Sequence, residues 1–535
     1  MPDTVVLTGG TVFDGSGGPR RPADVAVQGD RIVAVAEQLG EPTPADVTLD
    51  VTGLAICPGF INVLSHAWGS LQTDGSGASD LFQGVTTEVF GEAFSLGPSD
   101  DSFAELVAGF GAGPDIRVTF DRLSEGLDYL EGLGVAPNIA SFVGGTNLRM
   151  LAAGFDDRRL TLVELDRLRG VLSEEMQEGA LGVGTALIYP PGRFADTAEL
   201  TALCQVVGEF DGMYISHLRS EGDQFLQCLE ELLVIGRTAP VRTEVYHLKA
   251  AGRHNWHKMA QAIDLIQTAR ASGQDVAANM YPYEAGGTAL AASIPPSFHV
   301  GGPAALLERL ADPEQSRLMA GALRELSDDF ENLYLAAGAG EGVLFLSDLA
   351  DGTPAQGKRL SELVGVLGCR DEAEALLEAV RRDPAVGVAY FIIDEDNIRM
   401  GLRQPWVSIG SDAAAHDACD PWTGSATHPR TYGSFAKFLG RYCRDEQLFG
   451  FAEGVRRLTS LPADRLRLAD RGRVQVGAYA DLVALDPAEI RDLATYENPH
   501  QLSTGVRHVL VNGQLVIKDG ALTGARPGRR LRRAG

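Results

Sequence analysis

Short apolar runs, bounded by glycine, proline and polar clusters, alternate along this chain with stretches of helical period. The first fifty residues read as brief strands joined by tight turns: VVLTGGTVFDG, ADVAVQGDRIVAVA and DVTLDVTGLAICPGF. The same style returns near the other end in YADLVALD and VRHVLVNGQLVIKDG. Between them strand and helix alternate, as a parallel barrel requires. Eight segments read as barrel strands: 59–66, 84–91, 138–144, 181–189, 213–218, 241–248, 275–283 and 406–412. One connecting helix is plainly marked by Leu162, Leu165, Leu168, Leu172 and Met176 at spacings of three and four. Thr161 with Glu164 resembles a capping box at its start, and Gly179 stands where it should stop.

The pattern predicts an α/β chain: a (β/α)8 TIM barrel over 58–464 and a small β-sandwich built from both termini, 1–57 and 465–535. The stretch 284–405, between strands seven and eight, is too long for a barrel loop and is expected to form a lid or specificity element over the catalytic face. A length of 535 residues suits this division, since one core stops growing near roughly 250–300 residues.

Composition narrows the function classes. Apolar residues make up 44% and charged residues 22%, ordinary for a soluble globular chain. No apolar run reaches the roughly 18 residues of a membrane span, so no membrane partner is expected. A net charge of −26 repels phosphates over most of the exterior, which argues against nucleic acid. The basic tail Arg526 to Arg533 reads as an end tucked against acidic surface. Cys57, Cys204, Cys228, Cys369, Cys419 and Cys443 form no CxxC pair and read as small hydrophobes in a reducing compartment. Met1-Pro2-Asp3 leads directly into a strand rather than a signal peptide, so the expected location is the cytoplasm.

Active sites of such barrels form at the C-terminal ends of the strands. His66 ends the first, Glu92 follows the second, His217 ends the fifth, His247 the sixth and Asp412 the eighth. His217 and His247 are 30 residues apart, one strand-helix unit, so adjacent strands aim both imidazoles into one mouth. A single histidine ending a strand reads as structural. Two on neighbouring strands, with a carboxylate and an open position, make the ligand pattern of catalytic zinc.

PGFINVLSH, GVTTEVFGE, YPPGRFADT, YISHLRSEGD, YHLKAAG, MYPYEAGGT, IGSDA, THPRTYGSF and ATYENPHQLSTGVRHVLVNG together resemble the D-aminoacylase (N-acyl-D-amino-acid deacylase) branch of the amidohydrolase superfamily. The resemblance covers nearly the whole chain and is least clear in the insertion. It implies zinc-dependent hydrolysis of N-acyl-D-amino acids, with His217 and His247 as zinc ligands and Asp412 as general base. It also implies that Lys249, Tyr281 and Arg430 hold substrate carboxylate groups. Lys249 is one of only five lysines, and a structural salt bridge is the competing reading for Arg430. Tyr281 and Tyr283 share one turn and are interchangeable at this stage.

The chain departs from the family at three places. The first strand normally ends in His-X-His, but here it reads Leu64-Ser65-His66, so a second, outer metal site is expected to be missing or crippled. His66 is then a ligand, a hydrogen-bond donor or only a leftover of the family motif. The second-strand cysteine of the family is absent, and Glu92 is the natural substitute because carboxylate oxygen binds zinc well. A family histidine in a GHGT-like segment is missing from Gly144-Gly145-Thr146. Strand four, GVGTALIYPPG, has no lysine to bridge two metals. One zinc per subunit on Glu92, His217 and His247 is therefore expected, in a protein that is free to form oligomers. Two alternatives stand beside this reading: another amidohydrolase, acting on D-residue dipeptides or cyclic amides, and an inactive barrel with a binding or assembly role.

Overall fold

The computed structural model describes residues 4–39, 47–108, 116–417 and 427–534. Cys419 lies outside them. Eight parallel strands form the central ring: Phe60–Asn62, Val85–Phe90, Asn138–Ser141 continued by Val143–Gly144, Gly182–Ala186, Met213–His217, Arg242–Val245, Val276–Met280 and Val407–Ile409. In-register pairs such as Glu88 with Ile139, Ala186 with His217, Val245 with Ala278 and Met280 with Ile409 carry the ladder round. The ring closes where Ser65 bridges Ala413 in parallel and Asp412 N–H donates to Leu64 O at 2.9 Å. Most strands are buried along their full length, since side chains fill the barrel on one face and helices cover the other.

All eight expected strands are present, but several stop before their apolar windows do. His247 and Asp412 lie beyond the regular ladder, with φ of 33° and 53°. Ala93, next to Glu92, has φ of 58°. Left-handed backbone at non-glycine residues is strained, and these three lie where candidate functional side chains leave the strands, although other such residues, among them Asp211 and Asn512, lie away from the site.

The expected capping box is formed in full: Thr161 accepts from Glu164 N–H, and Glu164 accepts from Thr161 N–H. The helix Leu162–Gln177 buries Leu168, Leu172 and Met176, and Gly179 follows with φ of 97°. Leu162 departs from the expected stripe, with 82% exposure on the open first turn.

Between strands seven and eight, Ala285–Ala289, Val343–Phe345 and Gly387–Phe391 make a small antiparallel sheet with Gly387–Phe391 at its centre. Helices pack beside it, among them Glu372–Arg382, whose composition explains its limits. Asp371 caps the start, acids fill the first turn and arginines the last, while Leu376, Leu377 and Val380 are buried.

Both chain ends build a two-sheet sandwich. One sheet orders Arg31–Ala36, Asp24–Gln28, Thr4–Thr8 and Val47–Asp50. In the other, Ala55–Pro58 pairs with Leu482–Leu485, so the two ends of the chain share one sheet. Val5, Leu7, Val25 and Val27 of the first sheet meet Ile56, Leu482 and Leu510 of the second in a common core. The basic tail folds back as expected: Arg529 reaches Asp30 at 2.7 Å, Arg530 reaches Asp128 at 2.8 Å, and Leu531 N–H donates to Ile139 O.

Candidate active site

Glu92 reaches the barrel mouth because Gly91 turns the chain there. Gly91 has φ of 113°, and a Cβ at that position would lie 2.6 Å from Phe142 O. Oε1 of Glu92 then sits 3.2 Å from His217 Nδ1 and 3.0 Å from His247 Nε2. The two imidazole centroids are 4.4 Å apart, with the rings nearly perpendicular. Donors each ~2.0–2.2 Å from a tetrahedral zinc are separated by about 3.3–3.6 Å. The Glu92–His217 and Glu92–His247 atom pairs come close to that spacing and all three donor atoms lie within 4.8 Å of one another, so the donor set fits a divalent ion.

The other oxygen, Glu92 Oε2, is 3.1 Å from His66 Nε2, which is also 3.0 Å from Asp412 Oδ1. His66, Glu92 and Asp412 therefore form a second group whose ligand atoms lie within metal-binding distance of one another. Burial opposes the charging of His66, but hydrogen bonds to Asp412 and Glu92 outweigh it and push its pKa up to about 9. Leu64, at the position of the missing imidazole, is buried with the apolar side chains Ile61, Val63 and Val89.

Asp412 meets Arg430 on its far oxygen: Nη1 of Arg430 donates to Oδ2 at 2.6 Å. Burial raises the carboxyl pKa, but the charge of Arg430 and the bond to His66 more than offset that and hold it below the ordinary value. Nη2 of Arg430 donates to Gly287 O at 3.1 Å, which ties the insertion to the site. Lys249 Nζ sits 2.6 Å from Glu221 Oε2 and 2.8 Å from His247 Nδ1.

Glu221 is a candidate site residue that the sequence reading missed, and it lines the same cavity as the residues above. Its Oε1 is 3.0 Å from His247 Nδ1 and its Oε2 is 3.3 Å from His217 Nε2. An Nδ1–H of His247 donated to Glu221 leaves the Nε2 lone pair directed at the Glu92 side, the arrangement a metal ligand needs. Burial pushes the Glu221 carboxyl up, but His217, Lys249 and His247 outweigh it and hold the pKa at about 2. From the insertion, Glu331 accepts from Glu221 N–H at 2.6 Å. The only sequence signal for Glu221 is its place four residues after His217 in YISHLRSEGD.

Tyr281 and Tyr283 separate cleanly. Tyr281 lines the cavity with the Arg430 guanidinium 4.8 Å from its ring centre. Tyr283 turns away, its hydroxyl 3.4 Å from Asp492 and its ring under Lys437. Every other site residue expected from the sequence lines the same cavity of roughly 500 Å³, a size usual for small-molecule sites. The insertion supplies its roof through Leu333, Leu346, Tyr390 and Ile392.

Residues 383–517 match a family described as the amidohydrolase family. The chain is 32% identical to an N-acyl-D-glutamate deacylase of Alcaligenes xylosoxydans xylosoxydans, over 99% of its own length and 96% of the relative's. It is also 32% identical to a D-aminoacylase of that organism, over 100% and 98% of the two lengths. An N-acyl-D-glutamate deacylase from Bordetella bronchiseptica has been crystallised with zinc and a phosphonate that mimics the tetrahedral intermediate of its reaction. That structure aligns with this one at a TM-score of 0.82 and 29% identity, covering 99% of both chains. With a barrel whose strand ends gather two imidazoles and a carboxylate, and relatives matched end to end, this chain belongs to the N-acyl-D-amino-acid deacylase (D-aminoacylase) family of the amidohydrolase superfamily.

Proposed function

We propose that the chain hydrolyses the amide of N-acyl-D-amino acids to a carboxylic acid and a D-amino acid, with one zinc ion per chain held by Glu92, His217 and His247. The observation that carries this is the convergence of Glu92 Oε1, His217 Nδ1 and His247 Nε2 beside an ionised Asp412. Bound there, zinc would polarise the scissile carbonyl and lower the pKa of a water toward ~7.

Asp412 receives the proton of the attacking water and returns it to the departing amine nitrogen, so that collapse of the tetrahedral centre separates acid from amine. His66 keeps Asp412 turned toward Glu92 and serves as a positioning group in this reading. Lys249, Tyr281 and Arg430 line the cavity and hold the α-carboxylate of the substrate. We place the catalytic unit from residue 58 to the end of the helix Ser460–Leu466, whose Arg465 enters the barrel floor; the sandwich takes the remaining ends. The described cysteines are all free, which supports a reducing, cytoplasmic setting.

The test is zinc analysis coupled to assay of N-acetyl-D- and N-acetyl-L-amino acids. Near one zinc per chain, D-selective turnover, loss with a chelator and recovery on adding zinc are expected. An absence of stoichiometric metal would favour the inactive-barrel reading instead.

A further inference from the structure

Glu221 stands between a candidate zinc ligand and a candidate substrate anchor, so whatever fixes its backbone steers both. Its carboxylate is 3.0 Å from His247 Nδ1 and 2.6 Å from Lys249 Nζ. The residue lies in the loop between the strand Met213–His217 and the helix Phe225–Thr238, where no ladder or helical hydrogen bond holds it. Two other contacts grip its backbone. Glu221 O accepts from Ala251 N–H at 2.8 Å, in the loop after the sixth strand. Glu221 N–H donates to Glu331 Oε2 at 2.6 Å, and that acceptor belongs to the insertion, 110 residues further along the chain.

Glu331 is only 6% exposed, and its own backbone is anchored. Asn332, next to it, caps the short helix Leu333–Ala336 by accepting from Leu335 N–H and donates to Leu323 O at 3.0 Å. The Glu331 carboxyl therefore reaches the loop from a fixed stretch of chain. Its Oε1 meets no donor among the described residues, so its hydrogen bonding is turned wholly to the Glu221 loop. Burial and the charge of Glu221 push this carboxyl up to about 7. A polar group buried beside a second acid is costly, and apolar bulk would fill the same space without that cost. The bond to Glu221 is what offsets it.

We propose that Glu331 is a positioning residue: by holding the Glu221 backbone it lets the docked insertion set the placement of His247 and Lys249, a role that rests on the zinc and substrate functions given above to those two residues. The insertion touches the same loop elsewhere, through Gln224 Nε2 donating to Asp328 O at 2.6 Å. That contact does not reach Glu221 and supplies the control.

The test is zinc competition titration on the full chain, with kcat and KM for the N-acetyl-D-amino acid that the parent hydrolyses fastest. Glu331→Leu keeps the bulk and loses the acceptor; it is expected to weaken zinc affinity about tenfold, at the lower end for groups that orient a ligand. At saturating zinc it should raise KM by about threefold or more while kcat stays within about twofold. Glu331→Gln keeps an acceptor oxygen and should stay within about twofold of the parent in zinc affinity and KM. Glu331→Ala is read in place of the leucine variant if that one does not fold. Unchanged zinc affinity without the acceptor overturns the proposal, and so does a glutamine variant as impaired as the leucine one. In a Glu221→Gln background, Glu331→Leu is expected to add less than about twofold to the zinc loss, because its effect passes through that carboxylate. A fully additive loss overturns this route. Gln224→Ala should leave zinc affinity unchanged; a loss equal to that of Glu331→Leu would mean general loosening of the insertion and would overturn the role of Glu331. The titration needs no turnover, so a parent that binds zinc yet hydrolyses no N-acyl-D-amino acid removes the deacylase reading while the leucine and glutamine variants still decide the zinc effect. A parent that binds no zinc ends both.

Discussion

Lys249 Nζ lies 2.6 Å from Glu221 Oε2, while the other oxygen of that carboxylate is 3.0 Å from His247 Nδ1. One buried acid thus orients a candidate metal ligand and a candidate substrate anchor together. Glu221→Gln is expected to weaken zinc affinity by about 10–100-fold and to raise KM, with the fold intact. Zinc competition titration checks the first effect, and unaltered affinity would show that Glu221 does not orient His247.

Asp412→Asn removes the proton acceptor but preserves shape. It is expected to keep zinc while lowering kcat by about 10²–10⁴-fold, the usual worth of general acid–base catalysis. Metal content and single-turnover rates on the same preparation test it; a variant turning over normally takes Asp412 out of the scheme.

At the opposite end of the barrel, Arg465 donates to Glu244 and Asp275, each at 2.6 Å, and to Thr243 O at 2.8 Å. Replacing one partner of a buried ion pair leaves the other charge uncompensated and costs about 3–5 kcal/mol. Arg465→Met should therefore lower the unfolding midpoint sharply while leaving zinc stoichiometry and KM of the folded fraction unchanged. Altered substrate affinity would mean that the two barrel ends are coupled.

Glu175 is buried on the helix Leu162–Gln177 and accepts from Leu123 N–H at 3.2 Å. Burial pushes its carboxyl up from 4.5 to about 7. Because the folded value exceeds the unfolded one, its contribution to stability is full below about pH 4.5 and is lost as the pH rises through about 7. Glu175→Gln keeps the accepting carbonyl, so it should unfold at a higher temperature than the parent at about pH 8 and near the same temperature at about pH 5. A difference of the same size at both values would rule out titration as its source.

The barrel was legible because each strand is an apolar run bounded by turn residues, a pattern local to a few positions. Strand ends were less so: left-handed φ at His247 and Asp412 breaks the ladder early, and no single-residue preference announces it. The metal-type residues were legible from their spacing. Their partners were not, since Glu221 meets His247 across 26 residues and Arg430 meets Asp412 across 18, contacts that the fold and not the local sequence pattern decides. Leu162 belongs to the helical stripe by spacing yet lies at an end that no neighbour covers.

The strand Ala55–Pro58 joins Thr11–Val12 on one side and Leu482–Leu485 on the other. During synthesis, the segment leading into the first barrel strand keeps one open edge until almost nine-tenths of the polypeptide has left the ribosome. Completion of the sandwich is thus postponed to the closing stage of translation, and a nascent chain interrupted short of residue 482 carries an exposed strand edge beside an otherwise finished ring.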